Sequence, residues 1–66
     1  MTLGEKLNKA RLEKDISLKA LARKIGVSHT SIHTWEKDKA EPLFINVCML
    51  AQALGLSLNY LAGLEE

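Results

Sequence analysis

A single cysteine, Cys48, stands among the 66 residues of the chain, which excludes an intramolecular disulfide or a multi-cysteine zinc site and suits a reducing, cytoplasmic setting. No apolar run nears the roughly 20 residues that span a bilayer, and the opening MTLGEKLNKA lacks the apolar core of a signal peptide. Bases are missing from the C-terminal part. All nine Lys and Arg lie between Lys6 and Lys39, and against five acids they leave residues 1–40 at +4; residues 41–66 carry three glutamates and no base, −3. The overall +1 hides this division, in which a polyanion would meet the N-terminal part while the C-terminal part faces away. A solvated helical surface with scattered charge is the plainer reading of the same residues. There are no repeats, no low-complexity segment and no internal linker. Catalytic chemistry has no constellation to support it. His29 and His33 stand at i, i+4, but two imidazoles without an evident third ligand make a poor metal site. No enzyme activity, metal, cofactor or small-molecule ligand is expected.

Nearly half of the residues, 47%, are apolar, enough to pack a helical core in a chain near the lower limit for folding unaided. The pattern predicts an all-α bundle of five helices forming one domain over residues 1–66. Its centre is the stretch 17–37, SLKALARKIGVSHTSIHTWEK. Leu18, Leu21, Ala22 and Ile25 recur at helical spacing, and Gly26 stops the pattern where a left-handed residue ends a helix. Val27 is an apolar plug, and Ser28 caps a second helix. Ile32 and Trp35 form the buried stripe of that helix, with Trp35 expected to be largely buried against helices 1 and 4. Two helices across a short glycine-containing turn make a helix-turn-helix, whose second helix can lie in a DNA major groove.

The flanks fit this centre. Thr2 and Glu5 have capping-box spacing, and Leu3, Leu7 and Ala10 mark the inner face of a first helix with Glu5, Lys6, Lys9 and Glu13 outside. Asp15 sits at its end, and Ile16 tucks in before Ser17 caps the next. The polar loop 38–42 closes with Pro42. A fourth helix over 43–54 places Phe44, Val47, Leu50 and Leu54 inward and stops at Gly55; Ser57 caps a short last helix through Leu58, Leu61 and Ala62. Cys48 reads as packing.

The motifs L-x-x-A-R at 7–11, ISLKALARKIGVS at 16–28, SIHTWEK at 31–37, Glu41-Pro42 and AQALGLSLNYL at 51–61 resemble the DNA-binding domain of the lambdoid phage repressor and Cro family. The resemblance runs through almost the whole chain. It implies that the start of the recognition helix reads base edges, which points to Ser28, His29 and Thr30, with Thr34 one turn on and His33 toward the groove wall. The chemistry agrees, since a histidine can donate to guanine N7 or O6 and a threonine methyl can pack on a thymine methyl. Phosphate contacts fall to the rim: Ser17 and the free N–H groups behind it, Lys19, Arg23, Ser31, Lys37 and Lys39. The family also pairs an arginine on helix 1 with a glutamate at the end of the recognition helix, here Arg11 and Glu36, a bidentate brace between the two. Two departures stand out. Leu18 occupies the place of the usual glutamine after the cap, and the reading helix lacks the Gln or Arg that makes bidentate base contacts. Specificity therefore leans on water, methyl contacts or DNA shape.

Family members pair through the C-terminal end, where Leu58, Ile45 and Met49 are apolar residues beyond the needs of the core. The expectation is a transcriptional regulator, a repressor, that binds a palindromic double-stranded DNA operator as a homodimer. An antitoxin or protein-interaction module with secondary DNA binding is the alternative. An adaptor domain that kept the fold and lost the DNA surface is a third reading, which the missing Gln or Arg keeps open.

Overall fold

Four of the five helices begin at a residue whose side chain accepts one of the open N–H groups of the first turn. The computed structural model describes residues 1–65, and among these all regular structure is helical. Helix α1 spans Leu3–Glu13, α2 Leu18–Ile25, α3 His29–Glu36, α4 Phe44–Leu54 and α5 Leu58–Leu61. At the start of α1, Thr2 Oγ1 accepts from the Glu5 N–H at 3.1 Å, while the Thr2 N–H donates to Glu5 Oε1 at 2.8 Å. The hydroxyls of Ser17, Ser28 and Ser57 each accept the N–H three residues on, at 3.0–3.1 Å. Gly26 closes α2 at φ +78°, a conformation that costs most side chains energy and glycine little. Leu43 precedes α4 with no side-chain cap; Pro42 supplies the entry instead.

Four side chains, Leu7 on α1, Leu21 on α2, Ile32 on α3 and Leu50 on α4, lose almost all solvent contact and meet where the helices cross. Burying each contributes about 1.5–3 kcal/mol. Ala22, Ile25, Ala51, Leu54 and Leu61 close the core around them. Helix α3 rests on α1 and α2, and α5 is held mainly by α4. No helix among the described residues is long and apolar enough to cross a membrane.

Three placements differ from expectation. Trp35 is half-buried and packs on the margin of the core; α3 leans on α1 and α2 more than on α4, and Ile32 already fills the centre. Phe44 is 73% exposed. Its spacing continues the stripe of Val47, Ala51 and Leu54, but at the first turn of α4 little lies across from it. Lys6, expected outside, is buried. Its Nζ donates to the Tyr60 carbonyl at 2.6 Å and sits 4.7 Å from the centre of the Tyr60 ring, so the stem lies along the protein and the charge meets the end of α5.

Candidate nucleic-acid interface

Helix α3 has only eight residues, too few to be stable by itself, so its orientation depends on what lies beneath it. Ile32 plugs one end of the inner face into the core, and Glu36 fixes the other. Glu36 is 6% exposed and receives three donors: Arg11 Nε at 2.7 Å, Arg11 Nη2 at 3.1 Å and Asn8 Nδ2 at 2.8 Å. The remaining arm of Arg11 donates to the Ile16 carbonyl at 2.8 Å. One guanidinium thus joins α1, the segment entering α2, and α3. Charges leave water without large loss only when their hydrogen-bonding capacity is met, and no buried side-chain polar atom among the described residues lacks a partner.

A second tie runs from the end of α3 back to α1. Asp38 takes a left-handed backbone conformation at φ +57°, which turns the chain so that its carboxylate accepts from the Gly4 N–H at 3.0 Å and from the Thr2 hydroxyl. The Lys39 N–H bonds the Thr34 carbonyl at 3.1 Å. The segment carrying Lys37 and Lys39 is therefore anchored at both ends of a tight turn.

With its underside fixed, α3 leaves His29, Thr30 and His33 exposed to solvent, with Ser31 and Thr34 half-buried beside them. Ser28 is exposed, but its hydroxyl is engaged as the cap, accepting from the Ser31 N–H at 3.1 Å and pairing with Ser31 Oγ at 2.9 Å. Ser28 and Ser31 thus serve the start of the helix first. Ser17, Lys19 and Arg23 on α2, with Lys37 and Lys39 beyond α3, are all exposed. Ser17 spends its hydroxyl on Ala20, leaving the first-turn N–H groups of Leu18 and Lys19 without carbonyls inside the helix. Leu18 itself packs against the core. No three His, Cys, Asp or Glu side chains gather among the described residues.

A largely apolar groove is lined by Leu3, Pro42, Phe44, Val47, Leu58, Leu61 and Ala62, with Glu41 and Asn59 beside them. Leu58 is 41% exposed there. Ile45 and Met49 do not line it: at about 100° per residue they lie roughly 100° and 140° around α4 from Phe44. Ile45 is open to solvent, whereas Met49 is half-buried in a different hollow with Lys24, Ile25, Gln52 and Ala53. The three residues grouped from the sequence are therefore not brought together; Phe44 and Pro42 accompany Leu58 instead.

Sequence reasoning also missed Asn8, Gly4, Asp38 and Lys6. Asn8 lies one turn before Arg11 on the same face of α1, a spacing that lets both reach one carboxylate. The others meet partners more than thirty residues away.

Comparison with known proteins agrees with this geometry. A family model described as helix-turn-helix matches residues 7–61. The chain is 36% identical over 59 residues to repressor protein C2 of Salmonella phage P22, covering 89% of this chain and 27% of that protein. It is 27% identical over 66 residues to the HTH-type transcriptional regulator ImmR of Bacillus subtilis (strain 168), covering all of this chain and 52% of that one. It thus spans about half or less of these curated relatives. A crystal structure of the P22 c2 repressor with a synthetic operator superposes at a TM-score of 0.92, with 32% identity and 98% of each chain covered. The chain belongs to the helix-turn-helix family of the Cro/C1 repressor type.

Proposed function

We propose that this domain is a cytoplasmic, sequence-specific repressor that occupies a palindromic duplex-DNA operator as two copies. The observation that carries the reading is the outward face of α3. It presents His29, Thr30 and His33 on a helix locked from beneath by Ile32 and the Arg11–Glu36 pair. The P22 c2 repressor chain solved on a synthetic operator matches the fold of 98% of this chain and supports the assignment. Short side chains let the helix approach the groove floor. There His29 donates to guanine O6 or N7, and the methyls of Thr30 and Thr34 pack against thymine methyls. The open N–H groups at the start of α2 bind a phosphate on one side, and Lys19, Arg23, Lys37 and Lys39 neutralise the backbone around it. Repression follows from occupancy, because a covered duplex segment excludes other proteins.

Pairing follows from the reach of a single helix. One short helix reads too few base pairs to stand out among the roughly 10⁶–10⁹ competing sites of a genome. Among the described residues no Lys or Arg lines the apolar groove around Phe44 and Leu58, so two copies can meet there without bringing cations together in it. Leu58→Asp is expected to leave the monomer folded, since the residue is only partly covered, and to weaken full-operator binding far more than half-site binding. Sedimentation of the complexes checks this, and a variant still bound as a pair would remove the groove from the interface.

Selection of sites from random duplex DNA tests the function itself. The expected product is an inverted repeat with half-site centres about one helical turn apart; no enrichment of any sequence would sink the reading. On the selected site, Lys39→Ala should weaken all sequences alike and flatten the salt dependence by about one counterion, which titration at several salt concentrations measures.

A further inference from the structure

We infer that Lys6 is a positioning residue for the pairing of two copies, acting through α5. The inference rests on the reading that the apolar groove is where the copies meet. Helix α5 is four residues long, far below the length at which a helix holds its own shape. It is held by Leu61 in the core, by Tyr60 packed on the core's margin, by the Ser57 cap and by the Lys6 ammonium. The ammonium is attached at the most consequential point. The Tyr60 carbonyl is one of the last of the helix, and it accepts from the Gly63 N–H at 3.1 Å as well as from Lys6 Nζ at 2.6 Å. Carbonyls at a helix end carry partial negative charge, so a cation there stabilises the final turn.

Lys6 also holds the flank of that turn, with its charge 4.7 Å from the Tyr60 ring centre, within the range of a cation–π contact. Leu58 lies on the same short helix and Leu3 three residues before Lys6, and both line the groove. Lys6 therefore ties α1 to the end of α5, two of the walls of the face that a second copy must match, while α4 supplies a third through Phe44 and Val47. Neither the groove face of α3 nor its phosphate rim includes Lys6, so its effect on DNA is indirect.

Lys6→Met keeps the apolar stem and removes the charge. Amide exchange at Gly63, whose N–H bonds the Tyr60 carbonyl, reports on the last turn of α5, while binding to a full operator and to an isolated half-site reports on pairing. In the variant, exchange at Gly63 should speed up while that in α1, α2 and α3 stays unchanged. Half-site affinity should hold within about twofold, as expected of a distant site. Full-operator affinity should fall about tenfold, a usual size for coupling between sites. Lys6→Arg, which retains the charge and its donors, should restore most of the loss. Equal losses on full and half sites would make Lys6 a plain stability residue and overturn the inference. So would a Lys6→Met variant that pairs as the parent does. If Lys6→Met fails to fold, Tyr60→Leu, which removes the ring and leaves the carbonyl, must show the same selective loss in part, or the inference fails. Should the parent bind full and half sites with equal affinity, the pairing reading itself falls, an outcome distinct from failure of the lysine's role.

Discussion

Replacing Arg11 by methionine is expected to cost about 3–5 kcal/mol of folding stability, the range seen when one partner of a buried ion pair is removed. Methionine fills much of the space of the arginine stem but supplies no donor. Glu36, with its side chain 3% exposed, would keep only Asn8 Nδ2 of its three donors, and the Ile16 carbonyl would lose its partner. A surface pair would cost no more than about 1 kcal/mol; burial is what separates the two outcomes. Small domains lie near the low end of the usual 5–15 kcal/mol, so much of the variant should be unfolded at 37 °C. Urea unfolding measures the loss. Adding Glu36→Gln should recover part of it, because the uncompensated charge disappears, and a single-variant loss under about 1 kcal/mol would show that the pair is solvated.

The second large effect tests sign as well as size. Gly4 lies inside α1, where helix propensity alone predicts that alanine gains about 1 kcal/mol. The packing predicts the reverse. A β-carbon at Gly4 would stand 2.4 Å from the Trp35 carbonyl oxygen, 2.6 Å from that of Glu36 and 2.7 Å from Asp38 Oδ1. Two of these atoms are backbone at the end of α3 and cannot swing aside. Gly4→Ala should therefore destabilise by about 3 kcal/mol, the upper part of the overpacking range, and should push the end of α3 away from α1. Thermal unfolding decides it. A rise in Tm would mean that the two helices approach less closely than described.

How much of this was legible in the sequence depended on the distance over which each feature is determined. The caps at Thr2, Ser17, Ser28 and Ser57 and the stop at Gly26 are local events, settled within four residues, and the sequence displays them directly. Phe44 shows the limit of periodicity: its spacing places it on the inner stripe of α4, yet a helix buries its stripe only where a neighbour runs alongside. Met49 and Ile45 group with Leu58 as surplus apolar residues, whereas rotation around α4 turns both of them away from Phe44, which shares the groove with Leu58. Lys6, Gly4 and Asp38 carried no local sign at all. A lysine at an outward-looking position, a glycine inside a helix and an aspartate in a polar loop look ordinary until the chain brings Tyr60, the end of α3 and the start of α1 against them. On the face of α3, the expected outward positions His29, Thr30 and His33 are exposed, while the hydroxyls of Ser28 and Ser31 are engaged with each other.

The proposed function stands or falls on whether that face discriminates between DNA sequences. The direct measurement compares binding of the parent, His29→Ala and Thr30→Ala to the selected operator and to a scrambled duplex at one salt concentration. Each substitution should weaken operator binding by about 1–3 kcal/mol, relax preference at one or two base pairs, and leave scrambled-duplex binding unchanged. Variants that bind less tightly to both duplexes by the same factor, or that keep the parent's discrimination, would contradict the assignment of α3 as the reading helix.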